Sequence, residues 1–125
     1  MDDREWASAA QESLLRGQSV RVRPRGHSMR GRIEDGDVVT LEPCTPDLIA
    51  AGDIVLAKVR GWLQVLHQVL RCEPGRFLIG TTAGREDGWV AAEEVFGRVV
   101  DVRPDELDTG RPTTSRGAAA DGSQG

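Results

Sequence analysis

Gly36-Asp37-Val38-Val39 recurs as Gly52-Asp53-Ile54-Val55, and this shared pattern decides how the chain folds. Glycine permits a tight turn, aspartate can bond nearby backbone N–H groups, and the β-branched run that follows belongs in a strand. A third echo, Gly97-Arg98-Val99-Val100, lacks the aspartate. The three read as strand starts and not as a solenoid repeat.

Working outward, the same periodicity extends from Ser19 to Arg103. The runs SVRVRP, DVVTLE, DIVLAKVR, WLQVLHQVL, RFLIG, GWVA and FGRVVDV are separated by Gly, Pro and Asp signals. In the first of them Val20 and Val22 alternate with Arg21 and Arg23, as in a half-buried strand. Before this region, residues 2–16 read as a short helix. Acidic residues crowd its first turn, Arg16 and Gly17 close it, and Trp6, Ala10 and Leu14 share the face expected to pack on the domain. Beyond Arg103 the sequence PDELDTGRPTTSRGAAADGSQG holds one Leu as its only large apolar residue, too little to offset the entropy of ordering. The expectation is a mainly β domain over residues 1–103, with a helix at 2–16 and strands over 19–103, and a disordered tail over 104–125.

Composition narrows the function. A chain of 125 residues makes one domain, and a formal charge of −4 argues against a protein built mainly to hold nucleic acid. Two cysteines, Cys44 and Cys72, cannot supply a disulfide framework, and no further ligand lies near them at zinc spacing, so both are expected as reduced, half-buried thiols. No cofactor or metal is expected. No stretch approaches the ~20 apolar residues of a membrane span, and Asp2 and Asp3 without an apolar run behind them do not make a signal peptide. A cytoplasmic location is the expectation.

The segment richest in chemistry is Arg25-Gly26-His27-Ser28-Met29-Arg30-Gly31-Arg32-Ile33. A serine on a Gly-flanked turn after a strand can offer its hydroxyl and its own backbone N–H to one substrate carbonyl, a nucleophile and an oxyanion donor together. Met29 would anchor that turn in apolar surroundings. Three residues could act as the base. His27 is adjacent to Ser28, and neighbouring side chains in extended backbone point to opposite faces. Lys58 shares a strand face with Ile54 and Leu56, and a buried lysine can give up its proton. His67 shares a face with Leu63, Val65 and Val69, and an imidazole suits proton transfer at neutral pH. The residues by themselves leave all three open.

Gly-His-Ser-Met at 26–29, Ile-x-x-Gly-Asp-x-Val at 33–39, Gly-Asp-Ile-Val-Leu-x-Lys at 52–58, Leu-His-Gln-Val-Leu at 66–70, a Leu-Ile-Gly segment at 78–80 and Gly-Arg-Val-Val at 97–100 follow one another in order. This order resembles the boxes of the signal peptidase I and LexA peptidase group, over about Arg25 to Val102. The resemblance implies a coiled, mostly antiparallel β fold with Ser28 as nucleophile and its backbone N–H as oxyanion donor. It also implies His67 as base, since the base box reads His67-Gln68-Val69, and leaves Lys58 in the preceding strand. Histidine-type members carry an Asp after a Gly-Asp-Asn box. Here that box reads Gly80-Thr81-Thr82, Asp87 is the nearest match for the acid, and Glu86 competes with it. Gly31 replaces a proline of the pattern, and Gln68 replaces an arginine.

The resemblance thus implies a serine endopeptidase acting on a protein or leader peptide. Without a membrane helix, secretory signal cleavage is not expected, and the residues before the β region cannot hold a DNA-binding domain. The competing expectation is a catalytically weak module that holds an extended peptide by strand addition.

Overall fold

The computed structural model describes residues 5–24, 29, 31–34 and 36–104. His27, Ser28, the helix start at residues 2–4 and the tail expected over 104–125, apart from Pro104, lie outside the described residues. Among the described residues the architecture is one α-helix, α1 (Glu5–Leu15), followed by seven strands. These are β1 (Val20–Val22), β2 (Val38–Glu42), β3 (Ile54–Val59), β4 (Leu63–Glu73), β5 (Arg76–Gly80), β6 (Glu86–Ala91) and β7 (Val95–Arg103). Each of the seven sequence runs falls on one strand. β4 extends to Glu73, β6 begins at Glu86 and β7 runs from Val95 to Arg103, all beyond the runs read from the sequence.

The helix ends as its sequence requires. Gly17 takes φ +82°, its N–H donates to Leu14 O at 3.0 Å, and Gln18 N–H donates to Ser13 O at 3.0 Å. This is the paired 6→1 and 5→2 closure that a left-handed glycine allows. The two Gly-Asp repeats are the same turn built twice. Asp37 N–H donates to Glu34 O at 3.0 Å while its Oδ2 accepts from Glu34 N–H at 2.9 Å. Asp53 N–H donates to Ala50 O at 3.0 Å while its Oδ2 accepts from Ala50 N–H at 2.9 Å. Gly36 and Gly52 sit at the third turn position with φ +92° and +95°, where only glycine is unstrained. Gly97, the third echo, is different. It lies inside β7, and a Cβ there would meet both Leu14 methyls at 2.8 and 2.9 Å and Glu42 O at 2.9 Å. It is a close-approach glycine that seats α1 on the sheet, not a strand start.

The strands pair antiparallel in the order β1-β2-β7-β3-β4-β5-β6. β6 and β7 are four strand spacings apart in that order, roughly 19 Å in a flat sheet. The connection from Ala91 to Val95, a short 3-10 turn at Ala92–Glu94, reaches at most about 14 Å. The sheet therefore has to roll, and β6 packs against β3.

Rolling creates two cores. On one face Ala7, Ala10 and Leu14 of α1 meet Val39, Leu41, Ile54, Leu56, Leu66, Met29 and Ile33. On the other, Val55, Ala57, Val59, Val69, Phe77, Ile79 and Val90 pack inside the roll. β3 contributes alternately to both, which explains its nearly unbroken apolar run. Each fully buried Leu, Ile or Val in these cores contributes about 1.5–3 kcal/mol. Among the described residues no helix is long and apolar enough to cross a membrane.

Candidate functional site

β4 pairs with β3 so that His67 stands opposite Val55 and Lys58 opposite Gln64. Directly paired residues share a sheet face, and successive residues alternate. His67 therefore belongs to the face of Val55, Val65 and Val69, and Lys58 to the face of Ile54 and Leu56, beneath α1. Lys58 lines a shallow hollow with Ser8, Gln11, Glu12, Leu15, Trp62 and Gln64. Lys58 and His67 are thus on opposite sides of the sheet, and His27, the third candidate base, lies outside the described residues.

Asp87 reaches His67 by means of a bulge. Gly80 pairs with Glu86 and Ile79 with Gly88, so Asp87 is the extra residue on β6. A bulge re-aims a side chain that strict alternation would place elsewhere. Asp87 Oδ2 lies 2.6 Å from His67 Nδ1, with the two side chains 15% and 13% exposed. Glu86, the competing acid of the sequence reading, is exposed. An ionised carboxylate can only accept, so it holds the proton of a neutral imidazole on Nδ1 and favours the tautomer whose lone pair is on Nε2.

The turn that follows residue 28 is firmly held. Met29 and Ile33 are buried in the helix-side core. Arg32 and Ile33 N–H both donate to Met29 O, at 3.0 and 2.8 Å, and Gly31 N–H donates to Glu34 Oε2 at 2.8 Å. The buried position of Met29 is the anchor expected of it. Since Ser28 is outside the described residues, so is the expected approach of Ser28 to His67.

One feature escaped the sequence reading. Arg32 Nη1 donates to Gly52 O and, at 3.1 Å, to Gln68 Oε1, while Gln68 Nε2 donates to Thr81 O at 3.2 Å. The turn at Met29–Ile33, the strand carrying His67 and the β5–β6 turn leading to Asp87 are thereby joined. In sequence, Gln68 registered only as a departure from an arginine, and Arg32 carried no signal of its own.

The remaining expected groups do not join this site. Cys44 is half-buried, and burial is the main cause that pushes its thiol above the ordinary range; Arg98 opposes this and Asp53 adds to it. Cys72 is exposed rather than half-buried as the sequence suggested. It stands one residue from the end of β4, where the strand runs out beyond the core. Among the described residues, no group of three or more His, Cys, Asp or Glu side chains is placed to hold a metal ion. No family model matches the chain, and no curated protein matches it.

Proposed function

We propose that this protein is a serine endopeptidase of the signal peptidase I and LexA type, with Ser28 as nucleophile, His67 as base and Asp87 as the residue that positions His67. The observation carrying this reading is the 2.6 Å contact between His67 Nδ1 and Asp87 Oδ2 on a rolled antiparallel sheet. A carboxylate on Nδ1 fixes the tautomer whose Nε2 can take a hydroxyl proton, and it stabilises the imidazolium that results. The ordered sequence boxes and the anchored turn after Ser28 point the same way.

In this mechanism Ser28 Oγ attacks the scissile carbonyl while its proton passes to His67 Nε2. The Ser28 N–H donates to the oxyanion, placing a fixed dipole where negative charge develops. Collapse of the tetrahedral intermediate breaks the C–N bond, and the imidazolium returns the proton to the departing amine. Water then hydrolyses the acyl-enzyme by the same proton route. No cofactor takes part, and the substrate is a protein or peptide held in extended form.

The test is cleavage of a diverse peptide library, read by mass spectrometry, with wild-type protein beside Ser28→Ala. Cleavage by wild type alone supports the reading. Equal cleavage by Ser28→Ala would overturn it, and retention of peptides without cleavage would mark a peptide-binding module instead.

A further inference from the structure

We infer that Gln68 is a positioning residue whose single side-chain amide sets the serine turn and the acid-bearing turn against the strand that carries His67. The inference deepens the peptidase reading and rests on it. Its two arms are hydrogen bonds: Arg32 Nη1 donates to Gln68 Oε1 at 3.1 Å, and Gln68 Nε2 donates to Thr81 O at 3.2 Å. Each arm ends on a segment that is itself braced. Arg32 also donates to Gly52 O, so its guanidinium pins the turn that follows residue 28 to the second Gly-Asp turn. Thr81 is 7% exposed and organises the β5–β6 connection. Its N–H donates to Arg85 O at 2.9 Å, its Oγ1 accepts from Arg85 N–H at 3.2 Å, and its carbonyl accepts from Gly84 N–H at 3.0 Å. Glu86 and the bulged Asp87 follow directly on this turn.

Gln68 follows His67 in an extended strand, so its side chain points to the opposite face. It acts on the site from behind, through backbone placement, and takes no part in proton transfer. An amide suits this position because it accepts from a guanidinium at one end and donates to a carbonyl at the other. Neither a carboxylate nor an ammonium does both. Three segments distant in sequence must meet within a few tenths of an ångström for acyl transfer. A displacement of about 1 Å can lower the rate roughly 100-fold.

The experiment measures how fast a fluorophosphonate phosphonylates Ser28, with fluoride leaving and the Oγ proton passing to His67. Intact mass gives the rate, and far-UV circular dichroism confirms folding. We expect Gln68→Met and Arg32→Ala each to slow labelling about 10- to 100-fold. The double variant should be slower than Gln68→Met alone, but by less than the factor that Arg32→Ala causes in wild type, since the two residues share one bond while Arg32 also holds Gly52 O. Gln68→Glu keeps the Arg32 arm and loses the Thr81 arm, and it should fall between wild type and Gln68→Met. Arg32→Lys should recover part of what Arg32→Ala loses. Because Gln68→Glu keeps the shape of the side chain, it serves should Gln68→Met fail to fold. Labelling within twofold of wild type in Gln68→Glu and Arg32→Ala would overturn the inference and leave the peptidase reading standing. Wild type unreactive at Ser28 would overturn both.

Discussion

His67 and Asp87 meet across an intervening strand: β5 separates β4 from β6, yet Nδ1 and Oδ2 are 2.6 Å apart. The contact exists because β5 stops at Gly80 and a bulge on β6 turns Asp87 toward the vacated edge. Asp87→Asn keeps the shape but can offer an N–H to Nδ1, which favours the tautomer with its proton on Nε2. We expect peptide cleavage to fall by about 10²–10⁴-fold with little change in peptide affinity. Asp87→Asn turnover within threefold of wild type, with Glu86→Gln showing the loss instead, would transfer the role to Glu86.

Lys58 and His67 stand on opposite faces of the sheet, so only one of them can serve a given nucleophile. Lys58→Met should leave cleavage within about threefold, whereas His67→Ala should remove about 10²–10⁴-fold, the usual share of a general base. The comparison is made on one peptide substrate at saturating and at low concentration. The opposite result would make this a Ser–Lys enzyme with the helix-side hollow as its site.

Much of this architecture was legible in sequence because the signals were local. The turns at Gly36-Asp37 and Gly52-Asp53, the glycine that ends α1 and the alternation in β1 are each decided by residues within a few positions of one another. What stayed hidden depends on distant partners. Gly97 resembles the two turn glycines in sequence, but its absent side chain answers to Leu14 and to Glu42 O. The choice between Glu86 and Asp87 is made by a bulge, which alternation cannot reveal. Gln68 and Arg32 acquire meaning only when the Gly52 and Thr81 carbonyls are brought to them.

Gly97 therefore makes a sharp test of how α1 is seated. An added methyl at Gly97→Ala would meet buried Leu14 and a strand carbonyl closer than side chains tolerate. We expect a loss of about 1–3 kcal/mol in urea unfolding, typical of overpacking. Leu14→Ala made in the same chain should remove part of that penalty, since the methyl then has room. Strict additivity of the two changes would show that the helix does not press on Gly97.

The twin turns separate the effect of burial from that of bonding. Asp37 and Asp53 make matching bonds to a backbone N–H three residues earlier, but Asp37 is 6% exposed and the Asp53 side chain 29%. Asp37→Ala leaves the Glu34 N–H without its carboxylate in a part-buried setting and should cost about 1–3 kcal/mol. Asp53→Ala opens onto water, and its long contact with Arg98 at 3.8 Å adds little. We expect its cost to fall at or below the lower end of that range. Equal losses in urea melts would show that solvent access does not distinguish the turns.

Cys44 supplies the pH-dependent expectation. Burial holds its thiol protonated beyond the ordinary range, Arg98 works against this, and Asp53 reinforces it. Only the thiolate is nucleophilic, so iodoacetamide at pH 8 should modify exposed Cys72 well before Cys44. The Cys44 rate should keep rising above pH 9, as its own ionisation proceeds. Arg98→Gln removes the opposing positive charge and should slow Cys44 further at any fixed pH in this range. Unfolding returns the thiol to its ordinary value, so between the two values the unfolded chain binds fewer protons than the folded one. Stability contributed by Cys44 therefore falls as pH rises through that window, and Cys44→Ala should flatten that part of the pH–stability curve. Peptide mass mapping of the alkylated protein resolves the two sites. Cys44 reacting as fast as Cys72 at pH 8 in the folded chain would contradict the burial that sets this order.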